Sequence, residues 1–390
     1  MFPAKAAGRG WVASRRTGVG LLASPLVGIG VVDTVAVRKF QDAKGGQGET
    51  AGDGFPSNEV FAENRDDDIK EYAVFGDIAM HLNARWEVSA GLRASRGALD
   101  VSSLTTGVIS GREDEIDLQN AKTSVTPRVA ISFRPSDHLH LYAQAAKGFR
   151  IGGVNINTMI SALFDPGLDP DEALKTQTFT EDSVWNYELG VKARAFDGRL
   201  ETSLAGFYIK WDDIQTDQLL PTGFLFVTNA GNAKNYGVEL QFAGQLNDRI
   251  TVTAAAIWND PHLVEGNGFL NAAKGDRLPA IASFTGGLSV AYEQPVRRGV
   301  EFAASADYTY VGSSSLFFHK DLSPRMGDFH RLGIRAGLQN ELWQLALSVT
   351  NVFNTRGNTF AFGNSFSLNA TSQYNPLRPR TMSLNYVRSF

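Results

Sequence analysis

The feature that most constrains this chain is a repeating hairpin pattern with unequal ends. From about residue 70 onward an alternating strand, a very short turn, a second alternating strand and a long polar connection recur in that order. The short turns fall at Asn83-Ala84, Ser136-Asp137, Asp197-Gly198, Asn247-Asp248, Arg297 to Gly299 and Asn340-Glu341, which is Asn/Asp/Gly turn chemistry. The opposite ends carry connections such as Ile151 to Asp182, Asn259 to Gly275 and Asn354 to Asn375. A β-sandwich has no need of that asymmetry, whereas transmembrane barrels pair short turns on one side with long loops on the other.

The alternation itself is of the required kind. Trp343, Leu345, Leu347 and Val349 share one face of a strand, and Gln344, Ser348 and Thr350 the other. Phe302, Ala304, Ala306, Tyr308 and Tyr310 oppose Glu301, Ser305, Asp307 and Thr309; Phe284, Leu288, Val290 and Tyr292 oppose Thr285, Ser289 and Glu293. One face suits lipid and the other water. Trp86, Tyr142, Trp211, Trp258, Tyr292, Tyr310 and Trp343 stand near strand ends, where interfacial girdles would place them.

Composition agrees. Hydrophobic residues make up 43% of the 390 residues at a mean hydropathy of -0.16, so apolar positions are interleaved with polar ones. The one long apolar run, Gly18 to Val32, contains Pro25 and falls short of the roughly 20 residues a spanning helix needs. Preceded by Arg9, Arg15 and Arg16, it loosely copies the charged and apolar regions of a secretory signal. A net charge of -4 gives no electrostatic reason to expect a nucleic-acid partner, and the absence of cysteine suits passage through an oxidising compartment.

Strands are predicted to begin near residues 70, 85, 123, 138, 184, 199, 226, 249, 279, 300, 328, 342 and 379, about thirteen in all. Bacterial barrels close with even numbers. Residues 1–69 must then supply a further strand, or the chain is part of a larger barrel. With their glycines, charges and the acidic run Asp66 to Asp68, those residues are expected to form a poorly ordered leader, and 70–390 the barrel.

Several short segments carry a resemblance. They are Tyr72 to Asp77, Trp86 to Arg93, Thr126 to Val129, Leu141 to Ala143, Lys147 to Arg150 with Gly152 to Asn155, and Asn186 to Lys192. Phe207-Tyr208 with Asp213 to Gln215, Asn229 to Gly231, Tyr236 to Glu239, Val349 to Asn354 and Pro379 to Thr381 complete the set. In order and spacing, across about residues 70–390, the chain resembles the C-terminal barrel of TonB-dependent receptors, outer-membrane importers of ferric siderophores, vitamin B12 and some carbohydrates.

The resemblance implies an all-β, antiparallel transmembrane barrel, about thirteen strands of a 22-stranded whole, in the outer membrane of a Gram-negative bacterium. It implies a non-enzymatic receptor for a scarce nutrient, a ferric siderophore being the commonest in the family. The family's plug and TonB box are not visible here, so a TonB complex is expected as partner only if other sequence supplies them; a plugless passive pore and a non-functional fragment are the alternatives. Outer-membrane lipid, lipopolysaccharide and the barrel-insertion machinery are the remaining expected partners. Met382, Leu384, Tyr386 and the final Phe390, at period two, resemble the terminal strand that machinery reads; Arg388 departs from the pattern, at a rim position where an Arg costs only about 0 to 1 kcal/mol.

Chemistry-bearing constellations are sparse, and no cofactor is expected. Gly18 to Ala23 fits a dinucleotide fingerprint on paper, but no βαβ unit surrounds it. His138 and His140 share a strand face without a third metal ligand, and Glu113, Asp114, Glu115 and Asp117 read as a solvated loop. Lys147 and Arg150, where a strand enters the Ile151 to Asp182 loop, are the candidate contacts for an anionic ligand; the alternative places them at the lipopolysaccharide level.

Overall fold

A computed structural model describes residues 22–44, 59–106, 114–155, 177–219, 225–268, 270–297, 299–318, 323–360 and 375–388. Among these, one antiparallel sheet of fifteen strands runs through fourteen in chain order, with the two-residue strand His262–Leu263 pairing off that path. The fourteen are β1 (Leu22–Lys44), β2 (Glu59–His81), β3 (Trp86–Thr106), β4 (Asp114–Ser136), β5 (Leu139–Arg150), β6 (Asp182–Ala195) and β7 (Leu200–Asp212). β8 (Ala233–Asn247), β9 (Ile250–Asn259), β10 (Phe284–Arg297), β11 (Val300–Val311), β12 (Phe329–Gln339), β13 (Trp343–Thr350) and β14 (Thr381–Arg388) follow. Each strand pairs with the next, and β1 and β14 end the path.

The short turns are where the sequence puts them. Asn83, Asn247 and Asn340 each accept two backbone N–H bonds through the side-chain oxygen, from the residues two and three further on. Each such bond set replaces main-chain pairing with a side chain that reaches its own turn. Asp197 and Gly198 take φ of 54° and 84°, the left-handed geometry of a tight hairpin.

Register then fixes the faces. Leu288, for example, lies opposite Ala254 on β9 and Tyr308 on β11, while Ser289 lies opposite Thr253 and Asp307. Carried across the sheet, one face bears Val74, Ile78, Leu92, Val129, Leu189, Leu204, Leu240, Leu288, Ile334, Leu347 and Leu384, all exposed. So much uncovered aliphatic surface requires an apolar solvent. Phe284 and Tyr292 bracket this band on β10, eight residues apart. That is about 27 Å along the strand, or about 21 Å at a tilt of about 40°, close to the apolar band of outer-membrane barrels.

Aromatic rings border the band at both ends. Near the long loops Trp185, Tyr187 and Tyr208 are neighbouring rings in succession, and Tyr236 neighbours Trp258, Phe284 neighbours Tyr310 and Tyr308 neighbours His330. Near the short turns Trp86 stacks on Phe133 at 4.3 Å, and Tyr292 meets Phe302 edge-on. Tyr142 and Trp211 do not belong to the girdles. Both lie on the inner face, where Tyr142 donates to Glu188 and Trp211 to Asp182. Proximity to a strand end does not distinguish the two faces; odd or even register does.

The sheet starts earlier than the sequence pattern. Leu22–Lys44, assigned to the leader, is β1, and β2 begins at Glu59. Much of the apolar run is thus strand, with Pro25 on an edge strand, where its missing N–H is tolerated. The acidic run hides the pattern because it lies beyond the apolar band. β2, β3 and β4 have 23, 21 and 23 residues, about twice the 9 to 11 that cross a membrane. In the surplus, Asp67 pairs with Arg65 and Asp68 with Lys70. Predicted starts at 226 and 279 also shift, because Leu225–Asn229 pairs with Gln215–Leu219 in a loop ladder and β10 begins at Phe284.

The buried core sits among the long connections rather than between sheet layers. Ile214, Phe226, Ala230, Ala233, Leu263, Leu270, Ala272, Leu278 and Phe318 pack together above β7 to β10.

Candidate functional site at the outer mouth

Where the long connections leave the sheet, one carboxylate organises the backbone. Asp182 opens β6 opposite Arg150, the last residue of β5, and its side chain is only 2% exposed. It accepts from the Arg150 guanidinium, including an Nε bond of 3.0 Å, from Trp211 Nε1 at 2.9 Å and from the Gln215 amide at 3.1 Å. Arg150 also lies 5.2 Å from the Trp211 ring centroid and donates to the Gln215 carbonyl. A buried carboxylate with this many donors locks three chain segments together.

The knot extends through amide side chains. Gln215 Nε2 donates to the carbonyls of Ile151 and Thr180, and Asn229 Nδ2 to those of Thr180 and Asp213. The Asn155 side chain makes a reciprocal pair with the backbone of Val227. Gly152 and Gly153 are required beside Thr178-Phe179, since an added Cβ would stand 2.4 Å from the Phe179 carbonyl or ring. Three of the sequence segments, Lys147 to Arg150 with Gly152 to Asn155, Asp213 to Gln215 and Asn229 to Gly231, therefore meet at the entrance of β6.

The other segments have equally local causes. Asn351 and Asn354 both adopt φ of 51°. Asn351, 1% exposed, donates to Thr355 and Arg378 carbonyls and accepts from the Thr355 amide, while Asn354 accepts from the Arg380 amide. They splice β13 to β14. Gly237 leaves room for the Phe207 ring, and Gly190 for Tyr142, which donates to Glu188.

The inner face is wet and charged. Arg93 pairs with Glu71 at 2.7 Å, Glu87 lies between His81 and Arg134, and Glu188 accepts from both Tyr142 and Gln144. Near the short turns a cavity of about 630 Å³ is lined by Arg134, His138, His140, Lys192 and Arg194 among others. His138 and His140 thus sit among charges of both signs, since Asp137 and Glu201 also line the cavity, and among the described residues no group of three or more His, Cys, Asp or Glu is placed to hold a metal. The acidic residues read as a loop are otherwise placed: Asp114, Glu115 and Asp117 open β4, opposite Thr105, Leu104 and Ser102 of β3, and Glu113 lies outside the described residues.

The structure does not bring Lys147 and Arg150 together. Three residues apart on a strand, they take opposite faces: Lys147 is opposite Trp185 on the outward face, and Arg150 is held by Asp182. Sequence reasoning missed Asp182, whose role depends on Trp211 and Gln215 arriving from distant strands. Met382, Leu384 and Tyr386 share the outward face at 69%, 70% and 62% exposure, opposite Val349, Leu347 and Leu345; Phe390 lies outside the described residues.

An antiparallel sheet of this kind, with an aliphatic outer face, aromatic borders and a knotted mouth, defines a transmembrane barrel wall. The family model for TonB-dependent receptor-like β-barrels matches residues 8–352, and the chain belongs to that family. Its members are outer-membrane receptors and transporters of Gram-negative bacteria; they bind siderophores and metals and interact with TonB. The chain is 27% identical over 231 residues to the metal-pseudopaline receptor CntO of Pseudomonas aeruginosa, a stretch covering 59% of this chain and 29% of that receptor.

In fold it is similar to the ferric yersiniabactin uptake receptor FyuA of Yersinia pestis, with a TM-score of 0.72 at 20% identity over 97% of this chain and 52% of that one. It is similar also to the siderophore receptor PiuA of Acinetobacter baumannii, with a TM-score of 0.66 at 17% identity over 96% and 54%. The chain thus spans about half the length of these solved receptors.

Proposed function

We propose that this chain forms wall and outer mouth of an outer-membrane receptor for TonB-dependent uptake of a scarce nutrient, a ferric siderophore. The family match over residues 8–352 carries the reading. The mouth supports it, because loops anchored at Asp182 and Asn229 hold a fixed entrance above a charged inner wall, while CntO and FyuA are receptors for metal-chelator complexes by name. Ligand capture by the outer loops would precede rearrangement of a plug coupled to TonB. In this reading plug and TonB box belong to sequence beyond this chain.

Met382, Leu384, Tyr386 and Phe390 serve as the insertion signal for the terminal strand. The test of transport is uptake of labelled ferric siderophores by receptor-deleted cells that express the complete coding region. Uptake that vanishes when TonB is deleted is expected. TonB-independent conductance in planar bilayers without uptake would replace this reading with a passive pore, for which the charged inner face is the supporting observation.

A further inference from the structure

We propose that the inner wall at the short-turn end carries a binding site for a small di- or tricarboxylate, with Lys192 as its central cation and Ser203 and Gln241 as its neutral donors. The inference rests on the uptake reading above for direction: a solute that enters at the mouth leaves past these turns. Register builds the site. His140 lies opposite Lys192, Lys192 opposite Ser203, Ser203 opposite Gln241 and Gln241 opposite Ala255. One row thus crosses β5 to β9 on the face that bears Tyr142 and Glu188. One pleat repeat nearer the turns, the Arg194 amide donates to the His138 carbonyl, and Glu201 lies opposite both Arg194 and Ala243.

The row holds donors without acceptors. Lys192 makes no ion pair among the described residues, and its ammonium stands 5.5 Å from the Tyr142 ring centroid. Neither the Ser203 hydroxyl nor the Gln241 side-chain amide has a hydrogen-bond partner among the described residues. The neighbouring carboxylates are engaged elsewhere: Glu188 accepts from Tyr142 and Gln144, and Glu201 pairs with Arg194 at 2.9 Å. Of the charged side chains that line the cavity, Arg134, Lys192 and Arg194 outnumber Asp137 and Glu201. A carboxylate supplies what is missing, two oxygens that accept from an ammonium, a hydroxyl or an amide.

Size selects the class of ligand. The cavity of about 630 Å³ exists because its floor is built from small side chains, Ser203, Ala243 and Ala255. On the loop side the Tyr142 ring lies across Gly190, where an added Cβ would stand 2.5 Å from it. That volume falls within the roughly 300–1,000 Å³ of small-molecule sites. Lys192 and Gln241 are two strands apart, about 10 Å, so the donors suit an anion with carboxylates at both ends better than a single phosphate.

Isothermal titration of the full chain in detergent tests this, using tricarballylate, its neutral triamide and inorganic phosphate, with variants compared at equal folded band on unheated gels. Tricarballylate is expected to bind the wild-type chain and the Arg335→Gln variant on the inner face of β12 alike. Lys192→Gln should lose about 10-fold in affinity, the size of one charge-assisted hydrogen bond, and Lys192→Arg should restore most of it. Undiminished binding by Lys192→Gln, equal binding of the triamide, or equally tight binding of phosphate would each overturn the proposal. So would loss of binding in the product of the complete coding region, which would assign the donors to a segment that fills the lumen. Lys192-dependent binding without TonB-dependent uptake would support the site and count against the uptake reading alone.

Discussion

Asp182 and Gly237 show how single residues set the outer mouth. Removing the carboxylate in Asp182→Ala leaves the Trp211 N–H and the Gln215 amide without their acceptor, at about 1–3 kcal/mol for each buried group left unsatisfied. Limited proteolysis of the outer loops should accelerate while the folded band on unheated gels persists; unchanged cleavage would show that the knot does not hold the loops. At Gly237 an added Cβ would stand 2.2 Å from the Trp258 carbonyl and 2.6 Å from the Phe207 ring, whereas at Gly206 the nearest atom is 4.0 Å away. Gly237→Ala is expected to destabilise by about 1–3 kcal/mol, and Gly206→Ala by less, measured as the temperature at which the folded band is lost. Gly237 was legible as a motif letter, Asp182 neither as a letter nor as part of a site. Asp182 meets Arg150, Trp211 and Gln215 only after three connections have been closed, and no local pattern encodes that meeting.

Strands were the legible elements, because a period of two writes both faces into the sequence. The assignment predicts a specific contrast on β10. Leu288, midway between Phe284 and Tyr292, should tolerate Arg poorly, at about 2–4 kcal/mol, and neighbouring Ser289, which donates to Asp307 on the inner face, should tolerate it with far smaller loss. Equilibrium unfolding in lipid vesicles measures both; equal costs would contradict the face assignment. The pattern failed where strands outgrow the membrane. Asp66 to Asp68 broke the alternation of β2 because that half of the strand pairs with β3 beyond the apolar band, where ion pairs and water replace lipid. The same freedom obscured β1, whose apolar residues are mixed with glycine and Pro25.

At the scale of the whole molecule, the wall is one meander whose two faces meet different solvents, and everything proposed about uptake or carboxylate binding depends on that. An aliphatic face this extensive has no stable exposure to water, and unpaired backbone has none to lipid, so sheet and membrane determine one another. The chain contains no cysteine, which makes a single-cysteine scan clean. The most direct test places cysteine at each position from 284 to 292 in turn, attaches a spin label and compares collision with oxygen and with a water-soluble nickel complex in bilayers. Oxygen access should peak at 284, 286, 288, 290 and 292 and nickel access at 285, 287, 289 and 291. A profile without a period of two, or with nickel reaching every position equally, would contradict a membrane-spanning wall.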